Sequence, residues 1–189
     1  MGKSREAQPP PNAQKRRILS AYAAKYGPQT LVETGTLFGD MIFSMKDSSQ
    51  TIYSIELSDD LANKAKRRLL AYQHIQILNG DSGAILPKVL KNISKPCLFW
   101  LDAHYSGGIT EKGKIDTPVI EEMTAILEHK IKAHIILIDD ARLFDGTRGY
   151  PTVDELRNLV IMKGPTEYDC CVADDVIRIH PRCVANDPL

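Results

Sequence analysis

Five short apolar runs alternate with segments of helical spacing, and that alternation leaves few folds open. The runs are Thr30 to Glu33, Thr51 to Leu57, Ile75 to Leu78, Cys97 to Asp102 and His134 to Asp139. Between them, Gly39 to Asp47, Ser58 to Tyr72, Ser82 to Asn92 and Thr117 to His129 have the three-and-four spacing that gives a helix one buried face. Strands alternating with helices build a parallel sheet covered on both faces. Ile135-Ile136-Leu137-Ile138 is continuously apolar, as a strand covered on both sides should be. The chain then changes grammar. Tyr168 to Ala173, Asp174-Asp175, and Val176 to His180 read as two strands joined by a tight turn. The expected architecture is α/β, a mostly parallel sheet that closes in an antiparallel hairpin.

Further signals set the boundaries. Asn12 opens a helix through Ile18, Leu19, Tyr22 and Ala23, which Gly27 and Pro28 stop. Ser58 with Asp59 and Asp60 reads as a capped helix start, and Thr117-Pro118 as another with proline at the first helical position. Thr152 and Glu155 form a capping box for a helix to about Met162. Residues 1–11 are polar and proline-rich, a loose tail, and residues 12–189 are expected to form one domain. Lys plus Arg and Asp plus Glu each number 24, so the net charge is zero and nucleic acid is disfavoured as the main partner. No apolar run approaches the about 20 residues of a membrane span, so no membrane role is expected. None of the four cysteines sits in a CxxC pair and no secretory leader opens the chain, so the expected location is a reducing cytoplasm.

The chemistry lies at the strand ends, where open α/β sheets bind their ligands. Glu33 ends the first strand and leads into Thr34-Gly35-Thr36-Leu37-Phe38-Gly39, a turn whose glycines let a ligand approach the backbone. Glu56 ends the second strand, where an acid can accept both hydrogens of a ribose diol. Gly80-Asp81-Ser82 follows the third; Asp81 can accept from an exocyclic amine, and Ser82 can also serve as a helix cap. The GxGxxG pattern of NAD-binding turns is absent. Asp102 follows the fourth strand, and Asp139 with Asp140 the fifth. Adjacent carboxylates at a partly buried tip are costly without a positive group beside them. Three of them suit a hard cation such as Mg²⁺; the alternative is that Asp139 and Asp140 cap a turn or pair with Arg142 or Arg148.

On these residues the chain, from about residue 12 to 181, resembles a class I S-adenosylmethionine-dependent methyltransferase, closest in layout to the metal-dependent O-methyltransferases of catechol and macrolide-sugar type. The resemblance implies a Rossmann-like three-layer sandwich with a seven-stranded sheet. It implies that Glu33 meets the methionine amino group, that Gly35, Thr36 and Gly39 lie against methionine and ribose, and that Glu56 with Leu57 binds the ribose. Asp81 and Ser82 then face adenine, and Asp102 lines the cofactor pocket. It further implies a divalent cation held by Asp102, Asp139 and Asp140. Two positions depart from the family pattern: Leu37 stands where many members have a third glycine, and Met41 where the metal-dependent members carry a hydroxyl.

His104, two residues beyond Asp102, is the candidate general base, with an ordinary loop histidine as the alternative. The glycine-containing stretch from Ala103 to Asp116 is expected to move and to close over the site. The expected reaction is methyl transfer to an oxygen of a small polar acceptor, a sugar or a natural-product hydroxyl, with a second subunit completing the pocket. The competing readings are a cofactor-binding protein without turnover and a nucleotide- or NAD-dependent enzyme on the same sheet. Trp100, His74, His129, His134 and His180 are read as structural, and the basic run Lys64, Lys66, Arg67 and Arg68 as a solvated helix face.

Overall fold

The computed structural model describes residues 12–103, 117–165 and 167–182. In chain order the elements are α1 (Asn12–Tyr26), β1 (Thr30–Thr34), α2 (Asp40–Ser44), β2 (Thr51–Glu56), α3 (Asp59–Arg68), β3 (Ile75–Asn79) and α4 (Ser82–Leu90). There follow β4 (Leu98–Leu101), α5 (Val119–Glu128), β5 (Ile135–Ile138), a 3-10 turn (Ala141–Leu143), α6 (Val153–Lys163), β6 (Tyr168–Ala173) and β7 (Val176–Pro181). The seven strands form one sheet in the order β3-β2-β1-β4-β5-β7-β6. The first five are parallel, and β7 runs antiparallel to both β5 and β6. This is the expected sheet with its closing hairpin.

Alternation along each strand divides the core between the two faces of the sheet. Leu31, Leu98, Trp100, Ile135 and Leu137 pack on one side with residues of α1, α2 and α3. Val32, Phe99, Leu101, Ile136 and Ile138 pack on the other with α4, α5 and α6. Both faces are buried, so the strands read as unbroken apolar runs. Trp100 is fully buried, as read.

The ends of the elements refine the sequence reading. The Thr152–Glu155 capping box is present in both directions. Ser58 stands at the N-cap of α3 without a side-chain cap bond, and its backbone N–H donates to Glu56. Asp81, not Ser82, caps α4, accepting from the Gly83 N–H at 2.9 Å. Pro118 is the N-cap of α5 rather than its first turn. Helix α2 is shorter than expected: Gly39, at φ 75°, is its N-cap, and the chain leaves helical geometry at Met45. Asp174 and Asp175 both have positive φ, the two-residue turn whose twist matches a hairpin.

Candidate functional site

The strand order reverses between β1 and β4, and ligands of open α/β sheets bind at such a switch point. The tips are level there. Gly35 N–H donates to Ile55 O, Asp102 N–H to Thr34 O, and Asp139 N–H to Leu101 O, each one residue past a strand. These bonds bring the residues after β1, β4 and β5 to one edge. Gly35 makes the junction close: a Cβ there would stand 2.3 Å from the Asp102 carbonyl oxygen.

On the β1–β2 side, Glu33 is buried and accepts a hydrogen bond from the Ser54 hydroxyl, which lies 2.6 Å from that of Thr36. Burial pushes the Glu33 carboxyl up to about 8; Ser54 holds it down somewhat, and Glu56 adds to the rise. Glu56 uses both oxygens to tie backbone. Oε2 accepts from Leu37 N–H at 2.8 Å, and Oε1 from Ser58 N–H at 3.0 Å. Glu56 thus secures the turn after β1 and the start of α3 together. Leu37 sits at φ 50°, a left-handed conformation that suits glycine and costs a leucine roughly 1–2 kcal/mol. The missing glycine is therefore a residue held in glycine's conformation. Asn79 Nδ2 donates to the carbonyls of Glu56 and Leu57, Ser82 is buried, and Asp81 is exposed.

At the tips of β4 and β5, ligand atoms of Asp102, Asp139 and Asp140 lie within 4.8 Å of one another, spacing that would suit a shared cation. Both oxygens of Asp139 and one of Asp140 are already engaged. Lys15, from the first turn of α1, sets its Nζ 2.5 Å from Asp139 Oδ2 and 2.9 Å from Asp140 Oδ1. The other Asp139 oxygen accepts from Asp140 N–H at 2.8 Å. Asp140 Oδ1 also receives Arg142, which bridges to Asp175. The positive group that the carboxylates require is thus protein-borne. With Lys15 in place, the donor set does not fit an added divalent ion. Burial and then Asp139 drive the Asp102 carboxyl well above the usual range. Burial opposes the charge on Lys15, but Asp139 and Asp140 outweigh it and raise its pKa.

Arg142 pairs with Asp140 as one sequence alternative held; Lys15 was missed, although a signal existed. It lies three and four residues before Ile18 and Leu19, on the buried face of α1. Glu122 was missed for the same reason: it shares the α5 face with Val119 and Ile126. Burial pushes its carboxyl up to about 7, while Ser82 and Thr34 beside it offset part of the rise. His129 and His134 pair through Nδ1 and Nε2 at 3.0 Å, and His134 Nδ1 accepts from Cys97 N–H. Burial lowers His134 to about 4, so it is a neutral structural group. Of the basic run, Lys64 pairs with Asp60 and Arg68 with Asp40. The tail, His104 and the rest of the stretch to Asp116 lie outside the described residues.

No protein-family model matches the sequence, and no curated protein does. Solved structures do match. The O-methyltransferase TomG of Streptomyces achromogenes, involved in tomaymycin synthesis and solved with S-adenosylmethionine, aligns over 91% of this chain and 80% of its own at TM-score 0.64 and 16% identity. The chain has the methyltransferase fold. The Podospora anserina methyltransferase PaMTH1, bound to S-adenosylhomocysteine, aligns over 91% and 79% at TM-score 0.62 and 16% identity. The 23S rRNA methyltransferase ErmE aligns over 93% and 70% at 0.55 and 16%. Among the described residues no helix is long and apolar enough to cross a membrane.

Proposed function

We propose that the chain is an S-adenosylmethionine-dependent methyltransferase acting on an oxygen of a small polar acceptor. One observation carries this reading: Glu33, Glu56 and Asp102 ring the Gly35 turn at the switch point of a sheet whose solved neighbours hold that cofactor or its product. Bound there, the cofactor supplies a methyl group made electrophilic by its sulfonium. Glu33 takes the methionine amino group, Gly35, Thr36 and Gly39 the methionine and ribose, Glu56 and Leu57 the ribose hydroxyls, and Asp81 with Ser82 the adenine. Asp102 borders the reacting centre. The acceptor oxygen forms a bond to the methyl carbon as the carbon–sulfur bond breaks, and His104 takes the acceptor proton. Orientation and exclusion of water supply the remaining rate enhancement.

The zero net charge and the paired basic residues of α3 support a small acceptor over an RNA, although ErmE acts on RNA with the same fold. The free thiols of Cys97 and Cys170 suit a reducing cytoplasm. A second reading adds a divalent cation on Asp102, Asp139 and Asp140, favoured by their clustering, and it requires Lys15 to withdraw. Calorimetric titration with S-adenosylhomocysteine tests the main reading, with micromolar affinity expected, about −8 kcal/mol. No heat and no thermal shift would overturn it. Binding without transfer to a broad panel of hydroxyl acceptors would leave a cofactor-binding protein without turnover. With binding established, His104→Ala should lower kcat more than it raises KM.

A further inference from the structure

Lys15 and Arg178 are the two buried lysine or arginine side chains among the described residues. Arg178 is answered by Asp174, its hairpin neighbour. Lys15 crosses instead from α1 to the tip of β5, 124 residues away in sequence, and ends between two carboxylates at the candidate site. Gln14, beside it, bonds Asp174 and fixes the same turn of α1 to the β6–β7 hairpin. The ammonium is therefore held by its own helix as well as by its partners.

A divalent ion sharing these carboxylates needs its oxygens at about 2.0–2.6 Å. Lys15 Nζ already stands 2.5 Å from Asp139 Oδ2, so an ion on that oxygen would meet an ammonium at contact distance. The two cations exclude each other there. We propose that Lys15 is the resident cation of this cluster, holding Asp139 and Asp140 in the place a divalent ion would take, so that the site is organised without a metal. Lys15 is then a positioning residue: it fixes the two acids beside Asp102 and keeps α1 seated against the reacting edge. The proposal rests on the methyltransferase reading only for the reaction the cluster serves.

The test is Mn²⁺ titration of the full chain, followed by electron paramagnetic resonance. Wild type should show no saturable binding up to about 1 mM. Lys15→Met should open the cluster and bind Mn²⁺ at least about tenfold more tightly, and adding Asp139→Asn to that variant should abolish the gain. Saturable wild-type binding that Asp139→Asn removes overturns the proposal, as does a folded Lys15→Met chain that gains nothing. Should Lys15→Met not fold, Lys15→Gln replaces it, and the wild-type titration remains decisive by itself. S-adenosylhomocysteine titrated into the same wild-type sample separates the two readings. Absence of that binding counts against methyltransfer, and only the Mn²⁺ result counts against Lys15.

Discussion

Gly35 and Asp102 are packed so closely that a Cβ on Gly35 would lie 2.3 Å from the Asp102 carbonyl oxygen and 2.7 Å from its carbon. Both of those atoms are backbone, held by the Asp102 N–H to Thr34 O bond, so neither can rotate aside. Gly35 also has φ 85°, which a side chain strains. Gly35→Ala should therefore push the tips of β1 and β4 apart. A loss of about 2–4 kcal/mol in denaturant unfolding is expected, together with loss of S-adenosylhomocysteine binding. Wild-type stability in that variant would mean that the two tips can separate freely.

Glu56 joins two loops through one carboxylate, with Leu37 N–H on one oxygen and Ser58 N–H on the other. Glu56→Ala leaves both N–H groups without that partner and removes the carboxylate that holds Leu37 in its left-handed conformation. S-adenosylhomocysteine should bind about ten- to a hundredfold more weakly, and unfolding should come earlier by about 1–3 kcal/mol. Glu56→Gln keeps an acceptor for only one of the two N–H groups and should fall between. Calorimetry on the three proteins checks the order; equal affinities would remove Glu56 from the cofactor site.

The sheet was legible because both of its faces are covered, which turns each strand into an apolar run that sequence alone exposes. The acids at Glu33, Glu56, Asp102 and Asp139 were legible because they interrupt those runs at a fixed place. Lys15 was not, since charged residues on a helix are normally solvated, and its partners lie more than a hundred residues away. The competition between an ammonium and a metal at Asp139 is likewise a matter of tertiary packing, which the pattern of acids alone does not encode. Ser58 keeps its N-cap place without a side-chain bond, and Asp81 caps α4 in place of Ser82, because cap geometry depends on where the preceding strand points the backbone.

Glu122 sets a pH dependence of stability. Its folded carboxyl titrates at about 7 against an ordinary 4.5, so the folded state keeps a proton that the unfolded state has lost between those values. Stability from this group is full below about 4.5, falls as the pH rises to about 7, and is level above. Glu122→Gln removes the fall. The variant should gain on wild type between pH 5 and 7.5 by up to about 3 kcal/mol, read from urea midpoints along the pH series. A constant difference across that range would show that Glu122 is not held protonated.

In the proposed complex, Glu33 should couple proton release to cofactor binding. Burial raises its carboxyl to about 8, so in the free protein at pH 7 it is mostly neutral. In the proposed complex the methionine ammonium lies against it, and an adjacent cation favours the ionised form. Binding at pH 7 should therefore release about one proton from Glu33, and binding at pH 9.5 almost none from it. Calorimetry in buffers of different ionisation enthalpy measures this release directly, because the apparent heat then varies with the buffer. Glu33→Gln should abolish the buffer dependence at pH 7 and weaken S-adenosylhomocysteine about tenfold or more. Proton release that persists in Glu33→Gln would assign it to another group and separate Glu33 from the amino-group contact.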